Sequence, residues 1–258
     1  MQDTNLVDSS SNAGQQYTSN TICGFPISTA PLEDNMAMID AMAESGQGGW
    51  IVTLNTEMLA KCVREEGYAA LLHRADMFTA DGMPLIWASR RNHQSPITDR
   101  TTGVDIVESF LRRDNIPNYA IIGGVDPEEA LKNYPDALES CAYLYTGLVS
   151  VNDEQQMDEF AKKLRDNKIR YVFLALGVPK QDKVALEIRA RYPEAILLGI
   201  GGVFEILAPG GGRAPQWMQN NGMEWLYRFL KEPRRLWKRY LLNYPVGISA
   251  LIRDATKK

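Results

Sequence analysis

The chain has 258 residues, 45% hydrophobic and 23% charged, with a formal net charge of −4. That composition supports a globular core and excludes binding of nucleic acid through bulk positive charge. Three cysteines (Cys23, Cys62, Cys141) without CxxC spacing exclude a disulfide framework or thiolate zinc site and suit a reducing compartment.

The first twenty residues are rich in Ser, Asn and Gln, lack the apolar core of a signal peptide, and read as disordered. Beyond them, short apolar runs alternate with amphipathic segments. WIVTL (50–54) reads as a strand that feeds a helix over about 56–66. MFTA (77–80) is a short strand with a helix at 83–91, and another helix covers about 103–113. YAIIG (119–123) is a strand, and Asp126-Pro127-Glu128-Glu129 starts a helix. AYLYT (142–146) is a strand followed by a helix over about 152–167. YVFLALG (171–177) is the most apolar strand; Pro179 then opens a helix to about 191, and AILLGIGG (195–202) closes the series. Such alternation predicts an α/β fold: a Rossmann-like parallel-sheet body with helices on both faces.

The Pro/Gly-rich run 208–215 marks the boundary between a body over 21–212 and a helical appendage over 213–258, broken at Pro233 and Pro245. No stretch reaches the roughly 18 apolar residues of a membrane span. Residues 222–258 carry nine Lys/Arg against three acids, +6, which leaves −10 for the remainder. An acidic body with a basic tail points to an anionic partner for the tail. Trp225, Phe229, Lys231, Arg234, Trp237, Lys238 and Arg239 suit a helix lying in an anionic membrane interface; a helical hairpin packed on the body is the alternative. Leu236, Trp237, Tyr240, Leu241 and Tyr244 read as one apolar stripe.

In an open α/β sheet, ligands gather beyond the carboxyl ends of the strands. Thr53, Asn55 and Thr56 end the first strand, as a helix cap or as groups aimed at a ligand. Asp81, before Gly82-Met83-Pro84, is a cap or a general base. Gly177 and the following Val178-Pro179-Lys180-Gln181-Asp182 either start a helix or hold a phosphate against its free N–H groups. The string from Gly199 to Phe204 lacks the third glycine of a dinucleotide fingerprint and follows a late strand, which opposes a nicotinamide cofactor. A nucleotide phosphate or base against Gly201 and Gly202 is one reading, tight backbone packing the other. His73 and His93 stand at no ligand spacing and read as surface or boundary residues. With no Asp-x-Asp pair and no His/Cys cluster, a metal-bridged diphosphate has little support.

Seven strings together resemble the WecG/TagA/CpsF family of bacterial glycosyltransferases: TLNTEML (53–59), ADGMPLIWASR (80–90), TTGVD (101–105), LGVPKQD (176–182), GIGGVFE (199–205), RAPQWMQ (213–219) and GMEWLYRFLKEPRRLWKRY (222–240). Any one is weak; all seven in order, over nearly everything after the first twenty residues, are strong. The resemblance implies an inverting transfer from a UDP-sugar to an undecaprenyl-diphosphate-linked saccharide in polysaccharide or exopolysaccharide synthesis, with no required metal or cofactor. It implies a peripheral enzyme at the cytoplasmic face of the bacterial inner membrane, with a C-terminal membrane-binding appendage. It makes Asp81 the base and places Thr53, Asn55 and Gln181 near the reacting centre. It also implies substrate contacts at Arg228 and Arg235, and with the turn residues above the expected substrate-binding set is Gly177, Lys180, Gly201, Gly202, Glu205, Arg213, Arg228 and Arg235. Asp182 stands where Glu is usual, Glu205 where Asp is usual, and Lys238 where Arg is common. Rival readings are another nucleotide-binding α/β enzyme, such as a dehydrogenase, and a non-catalytic peripheral membrane scaffold. Homo-oligomer formation stays open.

Overall fold

The computed structural model describes residues 17–91 and 95–256, except for the side chains at 216, 220 and 235. Two short strands come first, β1 (Ser19–Ile22) and β2 (Phe25–Ser28), paired antiparallel. The chain then alternates: α1 (Leu32–Ser45), β3 (Gly49–Leu54), α2 (Thr56–Arg64), α3 (Tyr68–Leu72), β4 (Met77–Ala80), α4 (Met83–Ser89) and α5 (Gly103–Leu111). It continues through β5 (Tyr119–Gly123), α6 (Pro127–Leu131), α7 (Pro135–Ser140), β6 (Cys141–Tyr145), α8 (Glu154–Asp166), β7 (Tyr171–Ala175), α9 (Lys180–Arg191), β8 (Ile196–Gly199) and α10 (Val203–Leu207). The C-terminal segment holds α11 (Gln216–Asn220), α12 (Glu224–Lys231), α13 (Pro233–Trp237), a π-helical stretch (Lys238–Asn243) and α14 (Tyr244–Thr256).

One sheet of eight strands runs β1-β2-β4-β3-β8-β7-β5-β6, parallel throughout except for the β1–β2 pair. Its central strands are buried on both faces, which accounts for their unbroken apolar runs. Side chains alternate between two cores. Trp50, Val52 and Leu54 of β3 join Val172 and Leu174 of β7 under α2, α8 and α9. Ile51 joins Phe173, Ile196 and Leu198 against α1, α5 and α10.

Every strand and helix read from the apolar pattern is present, with ends shifted by a few residues. The pattern misses β1, β2, α1, α3, α7 and α10. β1 begins at Ser19, inside the stretch read as disordered. Tyr17 is also placed: its hydroxyl donates to the Pro26 carbonyl at 3.1 Å and accepts from the Phe78 amide at 3.2 Å. The rest of that stretch, 1–16, lies outside the described residues, as does His93. His73 stacks on Phe25, centroids 4.5 Å apart.

The C-terminal segment packs on the body rather than standing clear of it. α14 crosses the start of α2 so closely that a β-carbon at Gly247 would overlap the Thr56 carbonyl. Leu236, Tyr240 and Leu251 are buried. Arg64 donates to the Leu242 carbonyl at 2.8 Å, and Asp254 accepts from the Cys23 amide at 2.9 Å. No helix of the described residues is long and apolar enough to cross a membrane.

Candidate active site

A cavity of about 580 Å³ opens beyond the carboxyl ends of β4, β3, β8 and β7, and the C-terminal segment forms its far wall. Thr53 and Asn55 enter it from the β3–α2 junction, Asp81 from β4–α4, Gly177 and Gln181 from β7–α9, and Gly201 and Gly202 from β8–α10. Arg228 of α12 and Arg239 of the π-helical stretch line it from the other side. Seven positions spread over the body sequence thus meet because parallel strands bring all their following turns to one edge.

Several of these residues are fixed by local structure. Asn55 caps α2, its side-chain oxygen accepting from the Met58 amide at 3.0 Å, so cap and cavity residue are one and the same. Thr102, also lining the cavity, forms a capping box with Asp105 at the start of α5. Gln181 is buried, and its side-chain oxygen accepts from the Gly201 amide at 3.0 Å. It braces the β8–α10 turn against the β7–α9 turn, which leaves the Gly201 N–H engaged rather than free for a phosphate. A β-carbon at Gly199 would overlap the Gln181 amide, so a larger residue there would have to displace that side chain.

Asp81 is half-buried, and its amide donates to the Leu54 carbonyl at 2.8 Å. Burial raises its carboxyl from the ordinary carboxylate value to about 6. Arg239 and Arg228 pull it down and Glu224 and Asp105 push it up, but burial prevails. The carboxylate is therefore largely ionised at neutral pH and basic enough to take a proton from a hydroxyl. Arg239 is held by Glu57, 3.1 Å away across the cavity wall.

A second carboxylate has a similar shift and a different address. Asp182 is almost wholly buried, and one oxygen accepts from the Tyr68 hydroxyl at 2.7 Å. Burial raises it to about 7. It faces α3 and the core, away from the cavity.

Three residues expected at the substrate lie off the cavity lining. Lys180 is half-buried at the head of α9. Glu205 folds back on Gly202 from α10. Arg213 pairs with Asp105 at 2.5 Å and Glu108 at 3.2 Å, tying the 208–215 run to α5. The Arg235 side chain lies outside the described residues.

Of the residues read as membrane-facing, Arg239 and Trp225 line the cavity, and Phe229 packs edge-on against Tyr240, centroids 6.0 Å apart. Lys231 donates to the Gly211 carbonyl at 2.7 Å. Arg234, Trp237 and Lys238 are exposed. The single apolar stripe divides: Leu236 and Tyr240 turn inward, Trp237 and Leu241 outward.

Sequence reading misses Glu57, Trp87, Arg100 and Glu224, all of which line the cavity. Arg100 donates to Glu224 at 2.7 Å and to Gln219 at 3.0 Å, tying the loop before α5 to α11 and α12. Its place directly before the TTGVD string is the one signal that could have drawn it in. Among the described residues, no three His, Cys, Asp or Glu side chains converge as a metal-ion cluster.

A half-buried carboxylate facing two guanidinium groups suits a reaction in which one oxygen loses a proton while an anionic group departs. On a mostly parallel sheet with its cavity at the strand ends, this is the site of an α/β transferase. The chain belongs to the glycosyl transferase WecG/TagA/CpsF family, whose family model matches residues 20–258. Its role is that of a glycosyltransferase.

Proposed function

We propose that the protein is an inverting, metal-independent hexosyltransferase that moves a sugar from a UDP-sugar to an undecaprenyl-diphosphate-linked saccharide in cell-surface polysaccharide or exopolysaccharide synthesis. The observation that carries this reading is the Asp81 carboxylate, raised to about 6, in a cavity that also holds Arg228 and Arg239. In the step, an acceptor hydroxyl oxygen bonds to the anomeric carbon from the face opposite the diphosphate. The bond from that carbon to the diphosphate oxygen breaks, and UDP leaves with the electron pair. The hydroxyl proton passes to Asp81. Charge gathering on the diphosphate is met by Arg228, Arg239 and the backbone at Gly177 and Val178, in place of a divalent cation. UDP lies against the turns at 177–181 and 199–203.

The enzyme would work peripherally, at the cytoplasmic face of the inner membrane. The outward face of the C-terminal segment supports this: Leu230, Trp237, Leu241 and Leu242 are exposed beside Arg234 and Lys238. Each basic residue near an anionic surface contributes roughly 1 kcal/mol, weakening as salt rises. Co-sedimentation with anionic liposomes should therefore fall with salt, and binding only to neutral liposomes would overturn the anionic-surface reading.

The transfer itself is tested by UDP release from a panel of UDP-sugars with a lipid-linked saccharide acceptor in excess EDTA. The proposal expects acceptor-dependent release from at least one donor. Complete loss with chelator, restored by Mg²⁺ or Mn²⁺, would overturn the metal-free step. Release from no donor would overturn the donor class.

A further inference from the structure

The cavity has two chemically distinct sides along the sheet order: the turns after β8 and β7, and the turn after β4 that carries Asp81 and leads into α4. On one side lie the glycine turns at Gly177 and Gly199–Gly202. On the other, Met83 and Trp87 of α4 project from one helix face at i, i+4 spacing, and Trp225 of α12 lines the same cavity. Trp87 is 49% exposed and Trp225 41%, although both line the cavity. Trp225 leans on Tyr240, ring centroids 5.6 Å apart, whereas Trp87 keeps one edge against Gly222. A β-carbon at Gly222 would lie 2.8 Å from Met83 Cγ and 3.4 Å from the Trp87 ring, so the chain there is seated against α4. Arg100 and Glu224, joined at 2.7 Å, line the same cavity with planar, charged groups.

We propose that this aromatic side, with Trp87 as its principal surface, is the subsite for the acceptor's terminal saccharide. The inference rests on the glycosyltransferase reading above and adds to it which side of the cavity receives the acceptor, and through what chemistry. A pyranose ring carries axial C–H bonds with partial positive charge on its apolar face. The face of an indole carries the negative lobe of its quadrupole, so the two stack. Hydroxyls project from the sugar's rim, where Arg100 can donate and Glu224 accept. A uridine finds its match on the glycine side, which offers open glycine backbone and no indole. Because α4 begins two residues after Asp81, a saccharide on Trp87 puts a hydroxyl on the base's side of the cavity. The same helix thus locates both the acceptor and the group that deprotonates it.

Exposed tryptophans also serve at membrane surfaces, and the test separates the two uses. Full-length protein is titrated calorimetrically with UDP, then, with UDP bound, with a water-soluble saccharide acceptor analogue carrying a short alkyl chain. Wild type, Trp87→Ala and Trp87→Phe are compared, and each is sedimented with anionic liposomes. Trp87→Ala should weaken analogue binding about three- to tenfold, as expected for loss of one ring-stacking contact. Trp87→Phe should restore most of it, and UDP binding should stay unchanged in both. Unchanged analogue binding in Trp87→Ala, with UDP binding intact, would overturn the subsite and leave the glycosyltransferase reading standing. Unchanged analogue binding together with lost liposome sedimentation would overturn it in favour of a membrane role for Trp87. Wild-type protein that binds no UDP would overturn the parent reading and the subsite together.

Discussion

The two walls of the cavity differ in kind. The body wall is built mainly from turns between strand and helix and supplies Asp81, Asn55, Gln181 and glycine backbone, joined by Glu57 and Trp87 from helix faces and Arg100 from a loop. The C-terminal wall is built from helix faces and supplies Arg228, Arg239, Trp225, Tyr240, Tyr244 and Glu224. Their charges follow the same division, with +6 over residues 222–258 against −10 elsewhere. Neither wall alone places a cation beside Asp81, so the electrostatics of the base depend on how the C-terminal segment docks.

The largest effect belongs to the body wall. Asp81→Asn should lower turnover by about 10²- to 10⁴-fold, the usual contribution of a positioned general base, while UDP affinity measured by calorimetry stays unchanged. Near-normal turnover would reduce Asp81 to a turn residue and dissolve the division of labour.

Docking of the two walls is addressed at Gly247. A valine there meets the Thr56 carbonyl, so Gly247→Val should destabilise the fold by about 1–3 kcal/mol, seen as a lower Tm, and depress turnover as well. An unchanged Tm would mean that the contact between α14 and α2 is loose. Turnover unaffected despite a lower Tm would separate docking from the site.

Asp182 sharpens the comparison because it shares the perturbation of Asp81 without its access. With its folded value near 7 and its unfolded value near 3.9, the folded state binds more protons between those limits. Its contribution to stability is full below about pH 4 and is lost as pH rises through about 7. Asp182→Asn removes that loss, so the drop in Tm between pH 5 and pH 8 should be smaller than in the wild type, with turnover changed little. A variant as inactive as Asp81→Asn would mean that the buried carboxylate takes part in the reaction. A raised pKa alone therefore does not single out Asp81 for the proposed role; access to the cavity is what distinguishes it from Asp182.

The sheet was legible because its strands are buried on both faces and read as unbroken apolar runs. β1 and β2 escaped because SNTI and FPIS are four-residue segments with polar or proline positions. At the site, Asp81, Asn55 and Gln181 were legible because each follows a readable strand, and a parallel sheet gathers such positions. Arg100, Glu57 and Trp87 were not, because they reach the cavity from a loop and from helix faces whose approach is set by packing. The C-terminal segment misled most. Its aromatic and basic residues are one population in sequence, but the packing sends Leu236, Arg239 and Tyr240 inward and Trp237, Lys238 and Leu241 outward.

The dependence of the body's base on the C-terminal cation is tested most directly by the pH profile of kcat/KM for the wild type and Arg239→Gln. Arg239 favours the ionised carboxylate, so its loss should raise the value of Asp81, and the base should then stay protonated to higher pH. The account predicts an acid limb with its midpoint near pH 6 in the wild type, displaced to higher pH in the variant. Coincident acid limbs for the two proteins would contradict it.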